Sequence, residues 1–374
     1  MKNVLTNCRV LIDNNINRMD LHICDGVFTE IRPSEGGAES MPGLVLIPTL
    51  CNLHAHLGES IFRHINGNDW TLSKYLNYTE SFNQRLLPLE RHKAWEESAR
   101  FTIGALRKNG TSVFCAARSA KPCRDDGLCN LSGWPIMDSS KLAAYKSTGL
   151  LGFKEYMAKF ADDKCAVGVF LHSLYANDAA SLRLAVSCME AGAEFLTVHV
   201  AEDETSVVAE INKHGQSAVS ILEAYGLLTE KTILVHCGYA TEDDLALIAA
   251  RGAIIAICPR SNQFLKTKMP DVNLLQTLHI PWCLATDGLA TGRTLSLFEQ
   301  ASAFHNQFPF ISWRCLFEAI TQVPARWYSR RIYTGKIEPD TLAEVLAVET
   351  EVENTETLLS GLMRGLYRHH YVKC

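Results

Sequence analysis

From about residue 50 onward, short apolar runs alternate with stretches whose apolar residues recur at helical spacing. The runs predicted as strands cover residues 47–54, 111–117, 150–155, 167–172, 195–199, 232–236, 253–258 and 281–287. Between them, residues 179–191, 203–213 and 242–250 carry amphipathic or Ala/Leu-rich helix patterns, several opening at Asp or Thr as helix caps do. Eight strands alternating with helices over roughly 280 residues have the size and rhythm of an α/β protein of the (β/α)8 TIM-barrel type. The ends of the chain read differently. Residues 10–13 and 20–27 are short strand patterns with Asp25-Gly26 as a turn signal, and residues 334–337 and 344–348 resume that texture. The division expected is a small composite β domain of residues 1–48 plus 332–374 beside a barrel of residues 49–331. Residues 355–371 read as a helix running into a basic, His-containing end.

What stands at the strand ends turns this pattern into chemistry. The first barrel strand ends in His54-Ala55-His56, and residues two apart on a strand point the same way, so two imidazoles leave it side by side. Chance alone supplies about half a His-x-His in a chain with this many histidines, so the pair gains weight only from context. The fifth, sixth and eighth runs end at His199, His236 and Asp287. A doubly wound sheet would explain the alternation of elements. It would not predict ligand residues at the C-terminal ends of strands one, five, six and eight, which in a barrel converge on one mouth.

His54, His56, His199 and Asp287 together offer three imidazoles and a carboxylate to one divalent cation, Zn²⁺ or Fe²⁺, with a position left for water. Such a cation lowers the pKa of water, so hydroxide is available near neutral pH. Asp287 can accept the water proton, and His236 can orient the water. Glu202 follows His199 by three residues; a turn after the strand would bring its carboxylate back to the metal as a proton shuttle. The set fits hydrolytic attack at an sp² carbon with ammonia or an amine leaving. Lys154 at a strand end raises the case of a carbamylated lysine bridging two metals, but that strand is third by count, whereas the fourth ends at His172.

Composition narrows the class. The 374 residues are 47% hydrophobic and 21% charged, with a net charge of −5 and a pI near 6.2, which argues against nucleic acid or an anionic membrane as partner. No apolar run approaches the length of a membrane span, and the first residues carry no signal-peptide pattern, so a cytoplasmic location is expected. The 13 cysteines include no Cys-x-x-Cys pair, and Cys115, Cys237, Cys258 and Cys283 sit inside apolar runs. They read as reduced core residues.

On these residues the chain resembles the amidohydrolase superfamily, in its deaminase and chlorohydrolase branch. Leu46-Ile47-Pro48 leading to Asn52-Leu53-His54-Ala55-His56-Leu57 is similar to the first-strand signature of that family, with Thr49 in place of a usual Gly. His199-Val200-Ala201-Glu202, His236, Cys258-Pro259-Arg260-Ser261-Asn262 and Thr286-Asp287-Gly288-Leu289-Ala290 resemble its later motifs. The resemblance implies that His54, His56, His199 and Asp287 bind one metal ion. It also makes Glu202 the proton shuttle and His236 a contact of the hydrolytic water. It further implies substrate contacts from Glu155, in Phe153-Lys154-Glu155, and from His172, facing the ring of a bound purine. The family's Pro-Gly-Lys-x-Ala-Asp segment survives only as Pro339-Asp340-Thr341-Leu342-Ala343-Glu344.

The reading that results is a metal-dependent aminohydrolase of small molecules. It would act on a purine nucleoside-like substrate such as aminodeoxyfutalosine, S-adenosylhomocysteine or methylthioadenosine. Guanine- or cytosine-type deamination, or the same site with chloride or an amide amine leaving, are the alternatives. The loop after the first strand, from Leu57 to about Arg91, is expected to choose the substrate. Glu80 in it could bind ribose hydroxyls, and Arg118 a substrate carboxylate. Barrels of this type are often homodimers.

Overall fold

The computed structural model describes residues 2–67, 69–117, 128–137, 149–328 and 332–374. Among the described residues, fourteen strands form two sheets. Six belong to a mixed sheet: β1 (Lys2–Ile12), β2 (Asn15–Cys24), β3 (Val27–Pro33), β4 (Leu44–Pro48), β13 (Glu344–Glu349) and β14 (His369–Lys373). Eight form a parallel sheet: β5 (Leu50–His56), β6 (Thr111–Ala117), β7 (Cys129–Ile136), β8 (Cys165–Ser173), β9 (Leu196–Val200), β10 (Thr232–His236), β11 (Ile254–Ile257) and β12 (Trp282–Leu284).

In the mixed sheet the order is β14-β13-β4-β1-β2-β3. Two-residue turns set the first two hairpins. Asp13-Asn14 joins Ile12 to its partner Asn15, and Asp25-Gly26 joins Cys24 to Val27, all four turn residues having positive φ. That is the type I′ geometry that suits the strand twist and that Asn, Asp and Gly tolerate. β4 runs parallel to β1 and antiparallel to β13, so segments from both ends of the chain close one core around Val10, Leu21, Phe28, Leu46 and Val345. Residues 334–337 form no strand: the backbone turns at Gly335, φ +73°, and Ile337 packs into the same core as a single side chain. The helix expected over 355–371 ends at Met363, because Gly365 adopts φ +69°, and the chain then returns as β14.

The parallel sheet runs from β5 through β12 in sequence order, with helices between most of its described strands, as a nearly closed (β/α)8 barrel. The amide of Asp287, just past β12, donates to the carbonyl of His54 on β5 at 3.1 Å, which joins the first and last strands at the mouth. Nearly every strand residue is buried, as strands covered on both faces must be. Seven of the expected strands are present. The third is not where expected. Residues 150–155 belong to the helix Gly149–Phe160, which buries Gly152, Phe153 and Tyr156 and exposes Leu151, Lys154 and Glu155. The third strand is β7, whose apolar character is interrupted by Asn130, Ser132, Gly133 and Pro135.

By compactness the chain falls into two units. One comprises Met1–Asn52, Gly104–Val113 and Ser296–Cys374, the other Leu53–Ile103 and Phe114–Leu295. The expected terminal domain, 1–48 with 332–374, lies within the first. The twelve described cysteines are free thiols, most of them buried. Among the described residues no helix is long and apolar enough to cross a membrane.

Candidate active site

The site is built where the barrel strands end. His54 and His56 close β5 on the same face, His199 lies one residue before the end of β9, and Asp287 follows β12. All four are buried, and their ligand atoms lie within 4.8 Å of one another. The Nε2 atoms of His54 and His56 are 3.1 Å apart, those of His56 and His199 3.3 Å, and those of His54 and His199 3.2 Å. Asp287 Oδ1 stands 3.4 Å from His54 Nε2 and 3.3 Å from His56 Nε2. A cation bonded at about 2.0–2.1 Å to four tetrahedral ligands separates their atoms by roughly 3.3 Å, so the donor set fits one divalent ion of zinc's size.

Neighbouring groups fix how these donors face. His199 Nδ1 lies 2.7 Å from the carbonyl of His172. A carbonyl only accepts, so Nδ1 carries the proton and Nε2 presents its lone pair to the centre. The carbonyl is available because β8 bulges at His172: Leu171 pairs with Val198 and Ser173 with His199, and His172 is left over. Asp287 Oδ2 accepts from Ser261 Oγ at 2.5 Å and from Thr291 Oγ1 at 2.9 Å, which turns Oδ1 toward the imidazoles. Burial pushes the Asp287 carboxyl up, but the hydrogen bond to His54 and the imidazoles of His56, His54 and His236 outweigh it and hold the group well below the usual carboxylate range. His199 is held well below an ordinary histidine by burial and by the neighbouring imidazoles. Both shifts favour the forms that bind metal.

Two further groups complete the mouth. Ala201, φ +46°, turns the chain after β9 so that Glu202 returns to the site. Glu202 Oε1 lies 3.5 Å from His236 Nε2. Burial, with the charges of Asp287 and Asp203, raises the Glu202 carboxyl well above its ordinary range. Burial lowers His236, although Asp287 and Asn262 favour its protonated form. Burial thus favours the neutral form of both groups.

The cavity over these groups is small, about 30 Å³, and is lined by His56, His172, Glu202 and Asp287 together with Leu72, Leu76 and Tyr175. Leu72 and Leu76 belong to the helix Leu72–Arg85, in the loop after the first strand. A groove of about 190 Å³ shares Leu72, Leu76 and Tyr175 with the cavity and adds Ser73, Asn77, Asp203 and Thr205.

The structure thus brings His54, His56, His199, Asp287, Glu202, His236 and His172 to one place. It does not bring Glu155, which is exposed on the helix Gly149–Phe160 and absent from the cavity wall. Its expected position rested on reading residues 150–155 as a strand. Lys154, exposed on the same helix, stands at no strand end. Glu80 accepts from Gln84 at 3.1 Å along its own helix, and Arg118 lies outside the described residues. Glu59 and Tyr75 line the cavity and were not anticipated. The signal for Glu59 was present: it follows His56 by three residues, the offset that singled out Glu202 after His199.

The converging ligands at the barrel mouth define a metal-dependent hydrolase. A family model for the amidohydrolases matches residues 45–365, and the chain belongs to that family. Over 308 residues it is 25% identical to a 5′-deoxyadenosine deaminase of Methanothrix thermoacetophila, covering 79% of this chain and 69% of that one. It is 23% identical to a 5-methylthioadenosine/S-adenosylhomocysteine deaminase of Aquifex aeolicus, covering 96% and 86%. Among solved structures, an adenosine deaminase of Xanthomonas campestris with bound zinc superposes with a TM-score of 0.78 at 20% identity, over 92% of this chain and 84% of that one.

Proposed function

We propose that the protein is a hydrolytic deaminase of an adenosine-type nucleoside, in which water replaces the exocyclic amino group and ammonia leaves. The observation that carries this reading is the placement of Glu202, a buried carboxyl with a raised pKa, 3.5 Å from His236 and beside the four converging ligands. A leaving amine must gain a proton, and a carboxylate whose proton affinity is raised by burial is suited to take one from the attacking water and pass it on. The named activities of the relatives support the nucleoside class.

His54, His56, His199 and Asp287 hold the cation. When bound, it supplies the Lewis acidity that makes water nucleophilic near neutral pH. His236 orients the water through Nε2. Glu202 takes a proton as the C–O bond forms at the amino-bearing carbon and returns it to nitrogen as the C–N bond breaks. His172, carried on the β8 bulge, faces the substrate ring. A cavity of about 30 Å³ admits about one or two waters and no purine. The helix Leu72–Arg85 supplies Leu72 and Leu76 to both this cavity and the adjoining groove, and so stands beside the substrate.

The test is ammonia release by the zinc-loaded protein from 5′-deoxyadenosine, methylthioadenosine, S-adenosylhomocysteine, guanine and aminotriazines. Release from one or more adenosine derivatives at a kcat/KM at least a hundredfold above the other compounds is expected. Release from guanine or a triazine alone would overturn the nucleoside assignment. Silence across the panel with metal in place would overturn the deaminase reading.

A further inference from the structure

The imidazole of His56 has a second face, and what stands against it is not explained by metal ligation or by proton transfer. His56 Nδ1 lies 3.5 Å from Glu59 Oε1, and the other oxygen of Glu59 accepts from the Tyr75 hydroxyl at 2.6 Å. Glu59 and Tyr75 are buried, at 7% and 5% exposure. The carboxylate is also pressed against the backbone beside a ligand. A Cβ at Gly288 would lie 2.2 Å from Glu59 Oε2 and 3.0 Å from its Cδ, so the residue after Asp287 has to be glycine while Glu59 keeps this seat. Tyr75 in turn projects from the helix Leu72–Arg85, whose Leu72 and Leu76 roof the cavity.

We infer that Glu59 is a positioning residue for the metal centre and that Tyr75 makes its setting depend on where the roof helix sits. A ligating histidine holds its outward nitrogen on a carboxylate or carbonyl, which fixes the ring and strengthens the ligand. His199 uses the His172 carbonyl for this, and Glu59 does the same for His56. The Tyr75–Glu59 hydrogen bond extends the arrangement to the helix whose Leu72 and Leu76 line the cavity. Seating the helix over substrate then sets His56, and lifting it loosens His56. The inference rests on His56 being a metal ligand, as the proposed function requires.

The experiment measures zinc affinity of the apo-protein by competition with a chromophoric chelator, with circular dichroism as the control for folding. Cobalt(II) absorption reports ligand geometry independently of turnover. The variants are Glu59→Gln, Tyr75→Phe, the two together, and His56→Ala. The expected result for Glu59→Gln is about a 10–100-fold weaker zinc complex with an altered cobalt spectrum and unchanged circular dichroism. Tyr75→Phe weakens zinc several-fold, and the double variant matches Glu59→Gln, because Tyr75 acts through Glu59. Zinc affinity of Glu59→Gln within twofold of the parent would overturn the positioning role. Fully additive effects in the double variant would overturn the link to the helix. If Glu59→Gln fails to fold, Tyr75→Phe decides alone: a several-fold loss supports the inference and an unchanged affinity overturns it. His56→Ala separates the two readings, since retention of parental zinc affinity there would remove the ligand assignment itself.

Discussion

The hairpins of the terminal sheet and the barrel mouth both use left-handed backbone, and the residues that carry it differ. In the terminal sheet it is carried by Asp13, Asn14, Asp25 and Gly26, in two-residue hairpin turns that are largely exposed. At the barrel mouth it is carried by Ala201, His236, Cys237 and Asp287, all buried. Gly, Asn and Asp enter this region at little expense and His is enriched there as well, whereas Ala and Cys are not. The sheet adopts the conformation where sequence makes it easy. The mouth adopts it where function needs a side chain re-aimed at a strand end. The surrounding barrel holds the strained residues in place, as strain at functional sites generally requires. Buried acids of the barrel unit shift both ways: burial raises Glu202 and Glu210, whereas the hydrogen bond from His54 and the surrounding imidazoles hold Asp287 low.

The strongest way to press this contrast is Glu202→Gln. It should keep the metal and the fold while lowering turnover by about 10²–10⁴-fold, the range general acid–base groups supply. Steady-state kinetics with metal analysis checks it, and near-parental turnover would remove the shuttle role. Next in size is Glu210, on the helix Glu204–His214, whose carboxyl burial pushes from 4.5 up to about 8. The folded state then binds the proton more tightly than the unfolded chain does. That stability is fully present below about pH 4.5 and is lost as pH rises toward about 8. The slope is at most about 1.4 kcal/mol per pH unit. Glu210→Gln should flatten it in urea titrations run between pH 5 and 8. A parental slope in the variant would place the cost elsewhere. The smallest effect belongs to the sheet. Gly26 has φ +78° and open space around it, so Gly26→Ala should cost about 1 kcal/mol through backbone strain alone, with rates unchanged. A change in kcat there would mean that the hairpin is not merely structural.

Most of this was legible in the order of residues, and the misses share a physical origin. Strands such as Thr232–His236 announce themselves because an unbroken apolar run ends abruptly in a ligand residue. β7 was hidden by Asn130, Ser132, Gly133 and Pro135, polar or turn-forming residues that a strand tolerates when its neighbours satisfy it. Leu150–Phe153 looked like a strand because four residues of low polarity are too few to show a helical period. Once that helix is seen, Glu155 and Lys154 fall on its exposed face and out of the chemistry. The ligand set was legible because three different strand ends carry it. Tyr75 was not, because its role depends on how a helix in the first loop packs over the mouth, and no local pattern records that.

Every catalytic role assigned here depends on the four-residue metal centre. The most direct measurement is the zinc content of purified protein, by elemental analysis, for the parent and for His199→Ala, with circular dichroism on both. One zinc per chain in the parent and none in a folded His199→Ala variant is the predicted result. Two ions per parent chain, or an ion that survives the substitution, would contradict the assignment of a single centre to His54, His56, His199 and Asp287.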